Sequence, residues 1–156
     1  MRPARRRWLL VAAAAWLPAG AARATASWPR VEVWKSPGCG CCRDWVRHLR
    51  REGFEVQAHD LPDPRDPPMR ERLGVALRYG ACHTAQVQGY ALEGHVPARD
   101  IRRLLLERPS ALGLAVPGMP IGSPGIDDPL FQGRRDPYDV LLLRTDGTAR
   151  VFAQYR

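Results

Sequence analysis

The sequence lacks several features that would place it in a common class. Its one extended apolar run, residues 8–17, is too short and too poorly flanked to span a membrane. It has no internal repeats, and no run of basic residues interleaves with aromatic residues as in a nucleic-acid binder. These absences favour one small domain and argue against nucleic acid as a partner.

The first 26 residues are instead typical of an export signal. Arginines open the segment, an apolar run follows, and Ala22-Arg23-Ala24 or Ala24-Thr25-Ala26 offers a small-residue cleavage site. The stretch Arg5-Arg6-Arg7-Trp8-Leu9 also resembles a twin-arginine signal, so twin-arginine and general secretory export both stay open. We expect residues 1–26 to be a signal peptide, and residues 27–156 to be a single periplasmic or exported domain without a stable membrane anchor.

Loss of this segment would remove five arginines and no acid, lowering the formal charge from +8 to +3. That modest charge again speaks against nucleic acid. Export also implies an oxidising compartment, where exposed thiols become disulfides unless a metal or a reductant protects them.

Hydrophobic patterning predicts an α/β domain. Residues 31–35 and 54–59 alternate as strands, and between them Cys42, Trp45 and Leu49 share one face of a helix that ends at Gly53. Further expected elements are a loop at 61–68 with a short helix capped by Asp66-Pro67, a hairpin of 84–87 and 90–93, a helix from Pro97 to Pro109, and a final hairpin of 140–143 and 149–152.

This order, β-α-β-α-β-β-α, is the thioredoxin order. We therefore expect a thioredoxin-like fold with an added Gly/Pro-rich loop, residues 110–137, and a C-terminal β-hairpin. A loop of this length is uncommon in a compact domain unless it is functional or disordered, so we expect it to cover the site.

Four cysteines carry most of the chemical information. Cys39 and Cys42 have the spacing of a redox-active dithiol, Cys41 lies between them, and Cys82 opens the triplet Cys82-His83-Thr84. Between a strand and a helix, backbone N–H groups and the helix dipole favour thiolate, which both attacks disulfides and binds metals. A thiolate-rich set suits Cu(I), zinc or an iron–sulfur centre better than hard cations.

His83 adds a further donor beside Cys82. Thioredoxin-fold proteins usually begin the strand facing the dithiol with a cis-proline, and His83 occupies that place in the expected order. We therefore predict that Cys39, Cys41, Cys42 and Cys82 face one another across the fold as metal ligands, with His83 as a further ligand.

The remaining candidate ligands are expected to have structural roles. His48 and His59 are expected at the surface, and His95 is interpreted as a structural hydrogen-bonding residue. Met119, in the Gly/Pro-rich loop, is expected to anchor against the core.

Three alternatives to a copper or zinc site stay open. The first is a thiol–disulfide oxidoreductase with Cys39 as the attacking and Cys42 as the resolving catalytic thiol. The second is an iron–sulfur protein. The third is a structural domain with two disulfides, which fits poorly because a Cys39–Cys42 bridge closes a tiny loop and stabilises little.

Several separated motifs resemble the CopG-like family of exported, thioredoxin-fold, metal-binding proteins. They cover roughly residues 30–155 and are Ser36-Pro37-Gly38-Cys39-Gly40-Cys41-Cys42, Ala81-Cys82-His83-Thr84-Ala85, Glu93-Gly94-His95-Val96-Pro97-Ala98, Gly113-Leu114-Ala115-Val116-Pro117-Gly118-Met119-Pro120 and Pro137-Tyr138-Asp139-Val140.

The resemblance implies periplasmic copper handling, with Cu(I) at a polythiolate site made by Cys39, Cys41, Cys42, Cys82 and His83. Copper resistance or homeostasis would follow, alongside other periplasmic copper-handling proteins as partners. The resemblance also implies a copper-linked or thiol–disulfide redox activity. One departure is visible, because the family often has Met at the position of Ile126.

Overall fold

The computed structural model describes residues 27–61 and 69–156. The expected signal peptide, and the expected helix cap at Asp66-Pro67 with most of its loop, lie outside the described residues. The described part is mixed α/β, with one seven-stranded sheet. Its strands are β1 Trp28–Lys35, β2 Phe54–Asp60, β3 His83–Val87, β4 Tyr90–Glu93, β5 Gly113–Ala115, β6 Tyr138–Leu143 and β7 Ala149–Tyr155, and its helices are α1 Gly40–Arg51, α2 Met69–Arg72 and α3 Ala98–Glu107.

The sheet order is β2-β1-β3-β4-β5-β6-β7. β1 runs parallel to β2 and antiparallel to β3, with Lys35 opposite His83. The end of β1 therefore lies beside the start of β3. This register brings the cysteine motif, which follows β1, next to Cys82, which precedes β3.

The two faces of the sheet support cores of different size. The larger core includes Val31, Trp45, Leu92 and Leu104, and it collects buried residues from α1, α3 and most strands. A smaller cluster formed by Val75, Ala91, Ala115 and Leu143 takes the alternate positions of β4, β5 and β6. None of the helices in the described ranges is long and apolar enough to cross a membrane.

Helix α1 begins at Gly40, two residues before the first apolar residue of its pattern. Cys39 is the N-cap, and its sulfur accepts the backbone N–H of Cys42 at 3.3 Å. A side chain that accepts such an N–H stabilises the start of a helix. At the other end Gly53 has a φ of 86°, as expected for the residue that follows a helix.

The hairpin and the third helix follow the sequence closely. Gln88 and Gly89 have φ values of 45° and 86°, which is the primed two-residue turn expected between β3 and β4. Pro97 is the N-cap residue of α3, and the helix ends at Glu107, before Pro109.

The prediction of an uninterrupted loop over residues 110–137 was wrong at β5. This strand pairs parallel with β4 and antiparallel with β6, so the C-terminal hairpin continues the main sheet. Three residues are too few to show a hydrophobic period. Gly113 permits the pairing, because a Cβ there would lie 1.8 Å from the carbonyl oxygen of Ala91.

Candidate metal centre

The four cysteine side chains meet at the start of α1. Their sulfur atoms lie within 4.8 Å of one another. Cys41 Sγ is 3.5 Å from Cys39 Sγ and 3.9 Å from Cys82 Sγ. Cys39 and Cys42 form a disulfide, and Cys41 and Cys82 are the free cysteines of the described chain. Reduction of the bridge would thus place four thiols at one point.

The N-terminus of α1 favours negative charge at this point. The first N–H groups of a helix lack partners within the helix, and the helix dipole places partial positive charge there. Burial acts in the opposite direction on Cys82 and, with Cys41 nearby, raises its pKa to about 12. Without metal, Cys82 is therefore a neutral thiol at pH 7, and a metal that binds it must displace a proton.

His83 is buried, with 3% of its surface exposed, and its ring packs against Trp45 at a centroid distance of 4.4 Å. Burial, with His95 nearby, lowers its pKa to about 3, so the ring is neutral at pH 7. Nδ1 lies 3.4 Å from Cys82 Sγ. Nε2 has no hydrogen-bond partner among the residues that the structure describes.

His95 is fully buried, and its ring meets the ring of His83 edge-on at a centroid distance of 4.9 Å. Its Nδ1 donates to the carbonyl oxygen of Pro124 at 2.8 Å, which matches the structural role expected from the sequence. Its Nε2, however, is 3.0 Å from Cys82 Sγ. Burial also lowers the pKa of His95, so this ring too is neutral at pH 7.

Sequence reasoning therefore missed His95 as a candidate ligand. Cys82, His83 and His95 form a second group whose donor atoms lie within 4.8 Å of one another. The hairpin register could have revealed it. Because Thr84 pairs with Glu93, the residues just before β3 and just after β4 lie at the same end of the sheet.

A buried carboxylate holds this end of the hairpin. Glu93 is fully buried and accepts hydrogen bonds from the Ala81 N–H at 2.7 Å, the Thr84 hydroxyl at 2.6 Å and Arg70 Nε at 2.8 Å. Arg70 also donates to the carbonyl oxygen of Ala81. These bonds bracket Cys82 and His83 on both sides, so Glu93 fixes the backbone that carries both donors.

The Gly/Pro-rich loop packs on the start of α1. A Cβ at Gly125 would lie 2.8 Å from the Cys41 carbonyl oxygen and 2.7 Å from the Trp45 nitrogen. Ser123 and Ile126 are buried, so the residue that departs from the CopG-like pattern is a core residue here.

Met119 and His48 differ from expectation. Met119 is 57% exposed, so the expectation that it anchors against the core was wrong; it follows Gly118, whose positive φ turns the chain at the surface. His48 was expected at the surface but is half-buried, and its Nε2 accepts the N–H of Ala98 at 3.2 Å. His59 is partly exposed and stacks on Trp34.

Comparison with known proteins gives one family and two similar structures. Residues 79–126 match the family described as a protein of unknown function, DUF411. A solved structure described as copper resistance protein CopG, form 1, is 44% identical with a TM-score of 0.73, covering 81% of this chain and 98% of its own. Form 2 is 42% identical with a TM-score of 0.75, covering 83% and 100%. The curated proteins contain no match.

Proposed function

Because the chain belongs to the family of the copper resistance protein CopG, we propose that it binds Cu(I) and serves copper resistance or homeostasis. The observation that carries the proposal is the meeting of four cysteine sulfurs within 4.8 Å. Soft thiolates select Cu(I) over hard cations. The proposed ligands are Cys39, Cys41, Cys42 and Cys82, with His83 beside them.

The surroundings of the cysteine sulfurs suit a Cu(I) ion. The start of α1 supplies N–H groups that stabilise thiolate charge, and the neutral ring of His83 offers a further donor without adding positive charge. Thiolates this close can also bridge more than one ion. The chain's own part is to hold the donors together and to release their protons as the metal binds.

We further infer a thioredoxin-like arrangement for the first four strands. The support is the order β2-β1-β3-β4, with β3 antiparallel to its neighbours and a cysteine motif at the start of α1. Residues 1–26 support a periplasmic or exported location through their signal-like sequence. In that compartment, other copper-handling proteins are the proposed partners.

A second candidate function is thiol–disulfide exchange, which the Cys39–Cys42 disulfide favours. Cys39 would be the attacking thiol because it caps α1, and Cys42 would be the resolving one. Copper-linked redox activity is a related proposal, since the same thiols would serve as metal ligands and as electron donors.

An anaerobic titration of the reduced protein with Cu(I) against a competing chelator tests the first proposal. Tight uptake that protects all four thiols from alkylation is expected. The variants Cys41→Ser and Cys82→Ser should each lose affinity or stoichiometry, whereas His59→Gln, a histidine away from the cysteines in the sheet, should bind as the parent does.

The same variants separate the two functions. An exchanger that uses Cys39 and Cys42 alone should keep its disulfide reductase activity in Cys41→Ser and Cys82→Ser. Failure of the parent protein to compete with the chelator, together with retained reductase activity, would reject copper binding in favour of exchange.

A further inference from the structure

The positive charge of the domain is concentrated on one helix. α1 carries four arginines and one aspartate, which gives it a formal charge of +3. Without the five arginines of residues 1–26, the formal charge of the chain falls from +8 to +3 as well, so the rest of residues 27–156 is neutral on balance. The cysteine motif forms the start of the same helix. The excess charge and the cysteines therefore lie on one element.

Three of these arginines form a stripe on the exposed side of α1. Arg43, Arg47 and Arg50 are exposed, whereas the apolar residues of the helix are buried. Their spacing of four and three residues places them on one face of a helix. At the rise of an α-helix the stripe is about 10 Å long. We call these three residues the arginine face.

The arginine face borders an open groove of about 290 Å³ between α1 and the end of β2. Lys35 and Asp60, which pair with each other, complete the charged lining, so four cations and one carboxylate face the groove. This volume is just below the range of small-molecule pockets. The groove therefore suits the acidic side chains of a protein surface better than a free metabolite.

Two of the three arginines keep a charge that no carboxylate offsets within the described ranges. Arg47 pairs with Asp44. Arg50 donates instead to the carbonyl oxygen of Val56 at 2.9 Å, which leaves its charge in place. Arg43 forms no ion pair with the residues that the structure describes. Guanidinium groups bind carboxylates through two parallel hydrogen bonds, so these side chains are suited to an acidic partner.

Arg43 places the arginine face beside the cysteines. It follows Cys42 in the chain, and its backbone N–H donates to the carbonyl oxygen of Cys39 at 3.3 Å. Its Nη2 lies 4.0 Å from the position that a Cβ would take at Gly40, which is exposed. The guanidinium therefore lies beside the exposed residue between Cys39 and Cys41. A partner that pairs with Arg43 would rest against the cysteine motif.

We propose that the arginine face is the docking surface for an acidic protein that exchanges Cu(I) with the cysteines of this chain. The exchange rests on the proposed function, whereas the docking does not. Each copper–sulfur bond to the partner that breaks is replaced by one to this chain. No electron moves, and the protons that leave these thiols pass to the vacated sulfur donors of the partner. Opposite charges on the two surfaces speed their encounter and fix their orientation.

A fluorescent oligoglutamate peptide is the probe for docking, with anisotropy measured on the metal-free protein at low ionic strength. Binding is expected, and the double variant Arg43→Gln, Arg47→Gln should lose it. The matched control is Arg144→Gln with Arg150→Gln. It removes the same charge from exposed positions on the C-terminal hairpin, at the opposite edge of the sheet from β2. The control should bind the peptide as the parent does.

Three results would overturn the docking surface. Equal loss of binding in the two double variants would show that net charge alone attracts the peptide. Absence of binding by the parent protein would reject an acidic protein as the partner. If the peptide stays unbound while the protein pellets with vesicles of anionic lipid, a membrane surface replaces the acidic protein.

Transfer of Cu(I) separates docking from the proposed function. Two carrier peptides with the same cysteine donors, one flanked by glutamates and one by lysines, deliver Cu(I) to the reduced protein. The glutamate carrier should be at least about tenfold faster with the parent and the control, but not with the arginine-face variant. High salt should remove the difference. Equal rates from both carriers would overturn the proposed exchange by docking. A parent that binds oligoglutamate but takes up no Cu(I) would keep the docking surface and reject the proposed function.

Discussion

At the scale of single residues, Cys82 has the largest share in the chemistry, because it contributes to both donor groups. Cys41 contributes to the four-sulfur group alone. We therefore expect Cys82→Ser to weaken Cu(I) binding more than Cys41→Ser does. Competition titrations of both variants check this. Equal effects of the two substitutions would show that Cys82 contributes no more to Cu(I) binding than Cys41 does.

The buried histidines should make the metal-free protein sensitive to acid. The pKa of His83 falls from an ordinary 6.5 to about 3 because burial penalises the charged ring. The unfolded chain then binds more protons below pH 6.5, so stability is complete above that pH and is lost as the pH falls toward 3.

From this shift we expect the free energy of unfolding to fall by about 2 kcal/mol between pH 7 and pH 5 because of His83 alone. Urea unfolding of the metal-free protein at both pH values measures it. His83→Leu should show a smaller loss of stability on acidification than the parent protein. An unchanged pH dependence in His83→Leu would mean that His83 is charged in the folded state.

Glu93 should matter through the backbone it fixes rather than through contact with metal. Breaking a buried ion pair leaves the partner's charge uncompensated, so Glu93→Gln is expected to lower the free energy of unfolding by about 3 kcal/mol. Glu107→Gln, which loses an exposed pair with Arg103, should change it by less than about 1 kcal/mol. Chemical unfolding measures both. Equal stabilities would show that Glu93 is not ionised in the fold.

At the scale of elements, the Gly/Pro-rich loop and α1 fit together closely at one point. Gly125 has a φ of 88°, and its missing side chain lets the loop approach the Cys41 carbonyl. Gly118 has a φ of 71° but open space around it. Both glycines have a positive φ, but only Gly125 lies against α1. Substituting each one therefore separates the effect of backbone strain from the effect of the close approach to α1.

We expect Gly118→Ala to cost about 1 kcal/mol from its positive φ alone. Gly125→Ala should cost clearly more and speed the alkylation of Cys41, because the loop must move away from α1. Unfolding curves and thiol alkylation rates of the metal-free protein measure the difference. Equal alkylation rates in the two variants would show that the loop does not shield the cysteines.

Elements with a clear period or turn signal could be predicted from the sequence, and the others could not. The apolar face of α1, the Gln88-Gly89 turn and Gly53 after α1 each have a local physical cause that the residues show directly. β5 depends on backbone pairing with two distant strands, which three residues cannot signal. The exposure of Met119 likewise depends on how the Gly/Pro-rich loop packs against the rest of the folded domain.

The candidate site could also be predicted only in part from the sequence. Cysteine spacing and the Cys82-His83 pair indicated five donors, and the structure brings these residues together. The sequence predicts a structural role for His95, because its local context shows only that it precedes a helix. Its second contact, with Cys82, follows from the β3–β4 register, and so from the pairing of two strands rather than from the residues beside His95.

At the scale of the whole molecule, one continuous sheet carries both the site and the C-terminal hairpin. β5 joins β4 to β6, so displacement of the hairpin would also disturb the strand that precedes His95. The donors are thus held by the global fold, and metal binding should be coupled to the stability of the whole domain.

The coupling between metal binding and domain stability depends on whether Cys39 and Cys42 are reduced or disulfide-bonded. A ligand that binds only the folded state stabilises it by about 4 kcal/mol when its free concentration is a thousand times its dissociation constant. The reduced protein has four thiols for Cu(I), whereas the disulfide-bonded protein keeps only Cys41 and Cys82. We therefore expect Cu(I) to raise the unfolding temperature strongly in the reduced protein and weakly in the disulfide-bonded one.

Thermal unfolding under anaerobic conditions, with and without chelator-buffered Cu(I), measures this difference. Reduction alone serves as the control. It should lower stability by only about 2 kcal/mol, because the Cys39–Cys42 bridge spans a sequence separation of 3 and therefore closes a very short loop. An equal rise of the unfolding temperature in both redox states would mean that Cys39 and Cys42 do not bind the metal, and that the copper is held by Cys41, Cys82 and the histidines alone.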